Sequence, residues 1–250
     1  LDELDLNSSG DSLAVDGVSY TFPLGDKTTV FVSDNMDGST LYNTACVYGG
    51  PTNTLDDCGN ASSALAAGFG TAAGASYDLG NGFTAAIGYE TEGSSTTGVL
   101  SKESADAFGG QLSYAADSYG VSVTYANIES TTTTDNGTKR DQLDTVYWGL
   151  NGYWTPSESG SFPSISVGYE MGDPETSSDD TTHYFIGLQW DEVGPGTFGA
   201  ALGTTEHTTS SATEYLMYEA FYSYPINDGM TITPIVYIKE TSGDDQTGVM

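Results

Sequence analysis

The chain of 250 residues carries 35 Asp and Glu against 5 Lys and Arg, a formal net charge of −30. Phosphate backbones are bound through Lys and Arg, so nucleic acid is excluded as a partner, whereas a dense negative field attracts cations. No run approaches about 18 uninterrupted apolar residues, which excludes a transmembrane helix but not a β-barrel, whose spanning segments are short and alternating.

No signal peptide shows at Leu1 and the chain does not begin with Met, so it reads as a processed or incomplete chain. Strands are expected at 12–23 and 27–34, joined by a tight turn around Gly25 in FPLGDKT. The segment from Asp34 to Ala67 follows, the longest of the polar connections. It opens with SDNMDGST, where Asp34, Asn35 and Asp37 weakly resemble a calcium loop. Full spacing and the terminal Glu are missing, so a solvated loop start is the plainer reading. It then carries both cysteines, Cys46 and Cys58, in ACVYGGPTNTLDDCGN. No His or third Cys lies nearby, which disfavours zinc. The pair reads as a loop-closing disulfide, hence an oxidising compartment, with two free thiols as the alternative.

The rest of the chain repeats one plan. Strands at 68–78 and 83–91 flank Asn81-Gly82, the strongest short hairpin signal. Strands at 105–116 and 120–129 flank Ser118, those at 144–155 and 162–172 flank Gly160, and those at 182–191 and 197–204 flank Gly194. Strands at 214–225 and 230–239 flank Asp228, and another starts at 247, giving twelve strands and the start of a thirteenth. Short turns alternate with long, acidic, Ser/Thr-rich connections such as ESTTTTDNGTKRDQ and GDPETSSDDTT. No helical period persists over a useful length, so an antiparallel up-and-down meander fits better than a solenoid. Short turns at one end and long loops at the other match the asymmetry of a transmembrane β-barrel. Pro234 removes a ladder donor inside 230–239 and predicts a bulge there or an altered register.

The strands have two unlike faces. Ile165, Val167, Tyr169 and Met171 alternate with Ser164, Ser166, Gly168 and Glu170; Phe83, Ala85, Ile87 and Tyr89 alternate with Thr84, Ala86, Gly88 and Glu90. Aromatic residues gather at strand ends beside the turns: Tyr77 and Phe83, Tyr114 and Tyr119, Trp154 and Phe162, Trp190 and Phe198. Amphipathic rings favour the headgroup zone of a membrane, so these predict an interfacial girdle with the apolar face toward lipid. A soluble β-sandwich also alternates, and a secreted, carbohydrate-binding sandwich is the weaker alternative.

The motifs DSLAVDGVSYTFPLGD, GASYDLGNGFTAAIGY, LQWDEVGPGTFGAALG and NDGMTITPIVYIKE resemble the cyanobacterial outer-membrane porins, described as S-layer-homology-domain, carbohydrate-selective-type or iron uptake porins. The resemblance runs from about Asp11 to Met250. It implies an all-β, antiparallel, up-and-down transmembrane β-barrel in the outer membrane, a homotrimer that passes small solutes and inorganic ions, iron among them. It also implies peptidoglycan contact through an N-terminal domain not in this sequence. The chain therefore reads as one barrel domain over 1–250, incomplete at its N-terminal side.

No catalytic constellation and no cofactor motif is evident, so an enzyme is not expected. His183 is expected on a lumen face and His207 in a long loop, far apart in sequence. Strand phase offers Glu90, Glu170 and Glu219 as acidic pore-lining candidates and Lys239 as a basic one. The segment 34–67, stiffened by Cys46–Cys58, is either a constriction folded into the pore or an outward surface loop. The competing function is a non-transport, acidic, adhesive or shielding surface protein with a blocked lumen.

Overall fold

The computed structural model describes residues 17–35, 38–49, 58, 70–92, 98–100, 104–133, 140–156, 162–175, 177 and 179–249. Strands β1 (Val18–Leu24) and β2 (Thr28–Asp34) are followed by a 3-10 turn, Gly38–Leu41. Then come β3 (Thr71–Gly80), β4 (Phe83–Thr91), β5 (Asp106–Ala115), β6 (Tyr119–Thr133), β7 (Arg140–Trp154), β8 (Ser164–Pro174), β9 (Thr181–Val193) and β10 (Gly196–Thr204). The short β11 (Thr208–Thr209) precedes β12 (Leu216–Asn227), β13 (Met230–Ile232), β14 (Ile235–Lys239) and β15 (Gln246–Val249). All belong to one antiparallel sheet whose main path runs in chain order from β1 to β15; β11 pairs β9 and β13 pairs β12.

Turn chemistry explains the tight end. Asn81 and Gly82 both have positive φ, 55° and 86°, as a type I′ hairpin turn requires. The expected strand 230–239 divides into β13 and β14 around Pro234, but without the expected bulge at the proline. The pairs Tyr224↔Ile232 and Phe221↔Ile235 belong to one continuous register, and the shift falls later, between Pro225 and Asn227. The Tyr222 amide donates to the Pro234 carbonyl at 3.1 Å. Proline has no N–H to return, so that pair keeps one bond while its neighbours hold the register.

The sheet is inside out relative to a water-soluble protein. Along β8, Ser164, Ser166, Gly168, Glu170 and Gly172 are buried, while Val167, Tyr169 and Met171 are exposed. On β4, Ile87 is 67% exposed and Glu90 is 0% exposed. Each aliphatic side chain left in water forgoes about 1.5–3 kcal/mol, so a continuous outer surface of Ile, Val, Leu and Met is stable only against lipid. Aromatic pairs mark the margins of this band. Toward the short turns, Phe83 stands opposite Tyr114, Tyr119 opposite Trp154, and Trp190 opposite Phe198. Toward the long loops, Tyr89 stands opposite Phe108, Tyr125 opposite Trp148, and Tyr169 opposite Tyr184. Phe83 and Tyr89 are six residues apart, or about 20 Å along a strand, in keeping with the apolar band of an outer-membrane barrel.

Candidate channel interior

The segment after β2 turns inward and crosses the inner face of the sheet. Tyr42 packs on Ala107 of β5 and Ala126 of β6. Beyond it, alternate backbone amides donate to side-chain acceptors on successive strands. Asn43 N reaches Gln111 Oε1 on β5 at 2.6 Å, and Ala45 N reaches Ser122 Oγ on β6 at 3.0 Å. Val47 N reaches Ser166 Oγ on β8 at 3.0 Å, and Gly49 N reaches Gln189 Oε1 on β9 at 3.0 Å. The spacing is commensurate. Six extended residues cover about 20 Å, and four strand-to-strand steps cover about 19 Å. An extended segment running across the strands therefore meets one acceptor after another without strain in its own period of two.

Tyr48 ties distant strands of the sheet together. Its amide donates to Ser166 Oγ on β8 at 3.1 Å, and its hydroxyl donates to Glu219 Oε1 on β12 at 2.8 Å. Those strands are three spacings apart in the sheet, and the tyrosine with its two hydrogen bonds bridges them. The ring packs edge-on to Phe185 and Phe221, each at 5.5 Å between centroids. Burial, and then Glu219, push the Tyr48 phenol above its ordinary pKa, which keeps it a donor.

Cys46 and Cys58 form a disulfide with their Cα atoms 6.3 Å apart. Asn151 Nδ2 on β7 donates to the Cys58 carbonyl at 2.8 Å. Of the two placements open from the sequence, the described part of this segment takes the inner one. Closing a loop of this length contributes about 2–4 kcal/mol through restriction of the open chain. Unreduced protein is expected to resist iodoacetamide and to gain two carbamidomethyl groups after reduction under denaturing conditions, read by mass spectrometry; labelling without reductant would show free thiols.

An apolar exterior, a polar interior and an inward-folded segment are the architecture of a diffusion channel. Residues 4–245 match the family model described as Gram-negative porin. The chain belongs to the Gram-negative porins. A search of curated proteins finds no match. The porin is an outer-membrane protein.

The acidic candidates lie on the inner face of the porin, but buried. Glu90 is 0%, Glu170 2% and Glu219 4% exposed. Gly38 N donates to Glu90 Oε2 at 3.4 Å, and Tyr48 covers Glu219. Their phase is the one expected; their access to water is not, because inward segments lie on top of them. Lys239 sits partly exposed on the same side, opposite Met217 and Gln246. Asp34 is exposed at the end of β2, and Asp37 lies outside the described residues. Among the described residues, no group of three His, Cys, Asp or Glu has metal-holding geometry.

The structure also unites residues that sequence separation hid. His207, in the connection between β10 and β12, lies with Nε2 at 3.0 Å from Glu170 Oε2. Its Nδ1 shares a hydrogen bond with Thr181 Oγ1 at 3.2 Å, and its ring stacks on His183 at 5.5 Å. Tyr147 meets the same ring edge-on at 5.1 Å. His183 is held in turn by Thr204 Oγ1 at 2.7 Å. A second loop is thus pinned inward. The wall acceptors Gln111, Ser166 and Gln189 and the wall donor Asn151 were not singled out in the sequence. Their signal was long polar side chains on strand faces otherwise filled by Gly, Ala and Ser.

Proposed function

We propose that this porin passes small hydrated solutes and inorganic cations by passive diffusion through an interior narrowed by the segment 43–49. The observation that carries this reading is that segment's extended course across the inner wall, held amide by amide to Gln111, Ser122, Ser166 and Gln189. A segment fixed to the wall narrows a lumen without having to open and close.

Cation preference follows from the field rather than from a bare ring of carboxylates. Net charge is −30, and acidic side chains stand exposed near both ends of the strands, Asp78 and Asp228 at the turn end, Asp179 and Glu214 at the loop end. Such mouths concentrate cations. In this reading Glu90, Glu170 and Glu219 line the wall behind the inward segments and act chiefly as acceptors that hold them, with Lys239 as the basic group of the inner face. The closer resemblance to cyanobacterial porins suggests iron or other small inorganic ions among the permeants, carbohydrates as further solutes, a homotrimer, and peptidoglycan attachment through a separate domain.

Purified protein in planar bilayers is expected to give stable unitary currents. In a KCl gradient, the reversal potential should have the sign of cation selectivity and shrink as salt screens the mouths. Anion selectivity would remove the cation reading. Absence of current would favour the non-transport acidic surface protein.

A further inference from the structure

We propose that Tyr48 and one cross-strand row of the inner wall, Ser166–Gly187–Ala201–Glu219, form a slot built for this tyrosine, and that the slot sets the aperture of the channel. The proposal rests on the diffusion-channel reading and names the residues that determine its size limit.

The row is read directly from the register. Ser166 stands opposite Gly187, Gly187 opposite Ala201, and Ala201 opposite Glu219, on β8, β9, β10 and β12. Each member matches one part of Tyr48. Ser166 Oγ accepts the Tyr48 amide at 3.1 Å. Gly187 lies under two rings, where a Cβ would stand 2.6 Å from Phe185 Cζ and 2.8 Å from both Cγ and Cδ2 of Tyr48. Ala201 belongs to the same buried apolar cluster, and Glu219 Oε1 accepts the hydroxyl at 2.8 Å. Phe185 and Phe221 form the two sides. Neither belongs to the row, since Phe185 stands opposite Gly168 and Phe221 opposite Gly199.

The glycine is the telling element. Glycine inside a strand weakens it and is retained where another backbone or group must approach closely. Gly187 has no turn to make; the edge of the Phe185 ring and the Tyr48 ring both lie over it. Its diagonal neighbour Gly168 faces the same segment, because a Cβ there would overlap the Cys58 carbonyl oxygen. The wall therefore lacks side chains where Tyr48 and Cys58 rest on it and offers acceptors where residues 43–49 turn their amides. Tyr48 is a positioning residue: it touches no permeant in this reading but fixes the segment that does.

Three variants test the slot: Gly187→Val, which fills it; Tyr48→Ala, which only removes atoms and so cannot clash; and Tyr48→Phe, which keeps the ring and loses the hydroxyl. Folding is checked by heat-modifiable migration on gels. Two readouts follow. One is amide hydrogen exchange of the peptide spanning 43–49. The other is channel size, from unitary conductance and from vesicle swelling in sugars of increasing mass. Gly187→Val and Tyr48→Ala are expected to lose exchange protection, to raise conductance and to admit sugars excluded by the native channel. Tyr48→Phe should fall between native and Tyr48→Ala on both, since ring packing remains while the hydroxyl that Glu219 accepts is lost. Folded Gly187→Val and Tyr48→Ala proteins that keep native protection would overturn the slot, whatever the current. Lost protection with unchanged conductance and size limit would overturn its role in aperture. A native protein that carries no current would overturn the diffusion reading, while the exchange result still decides the slot.

Discussion

Ile87→Arg is expected to destabilise the folded protein in lipid by about 2–4 kcal/mol, whereas Phe83→Arg on the same strand face costs about 0–1 kcal/mol. The contrast follows from depth. Ile87 is 67% exposed between the two aromatic margins, four residues from Phe83 and two from Tyr89, and Phe83 lies in the margin beside the short turn. A guanidinium between the margins must be carried into hydrocarbon, while one at the margin reaches headgroups and water. Urea titration of tryptophan fluorescence in lipid vesicles measures both. Equal, small costs at the two positions would mean that this face meets water, and the inside-out reading of the sheet would fail with it.

The second large effect concerns the inward latch of the β10–β12 connection. His207→Ala is expected to cost about 2–3 kcal/mol, because it leaves Glu170 buried without the imidazole that faces it. Losing one partner of a fully buried ion pair costs about 3–5 kcal/mol; a lower value is expected here because the His207 side chain is 23% exposed. Glu170→Gln in the His207→Ala background should recover part of that loss, since a neutral amide needs less solvation than a carboxylate. A double-mutant cycle read by the same urea titration gives the coupling between the two positions. Strictly additive losses would show that the 3.0 Å contact does not couple them.

Both effects bear on how this chain encodes its fold. The strands were legible because their information is local. A period of two places Ile87 and Glu90 on opposite faces whatever the rest of the chain does, and Asn81-Gly82 selects a hairpin from two residues. The expected alternation of short turns and long loops corresponds to most of the connections, but not around Gly160, where nine residues separate β7 from β8 against six on either side; the aromatic margins follow from the same phase. The limits of locality show at Pro234, whose missing donor suggested a bulge. Neighbouring pairs on both sides hold the register, and one lost bond is not enough to shift it. They show again at β6 and β7, which run past the expected 129 and begin before the expected 144, where polar Ser and Thr residues gave no apolar phase to read.

The interior was less legible. The residues 38–49 have no hydrophobic period of their own, so nothing local distinguished a surface loop from a segment lying on the wall. After the 3-10 turn, the course of 43–49 is stabilised by acceptors tens to more than a hundred positions away, as with Val47 and Ser166. The same holds for His207, whose partners Glu170 and His183 come from two other strands. Glu90, Glu170 and Glu219 illustrate the division most clearly. Strand phase alone determined that they face inward, because neighbouring side chains on a strand must point to opposite sides. Whether an inward carboxylate meets water or a donor depends on which distant loop folds over it. That was decided only by the tertiary structure, where a single tyrosine from a distant segment bridges β8 and β12.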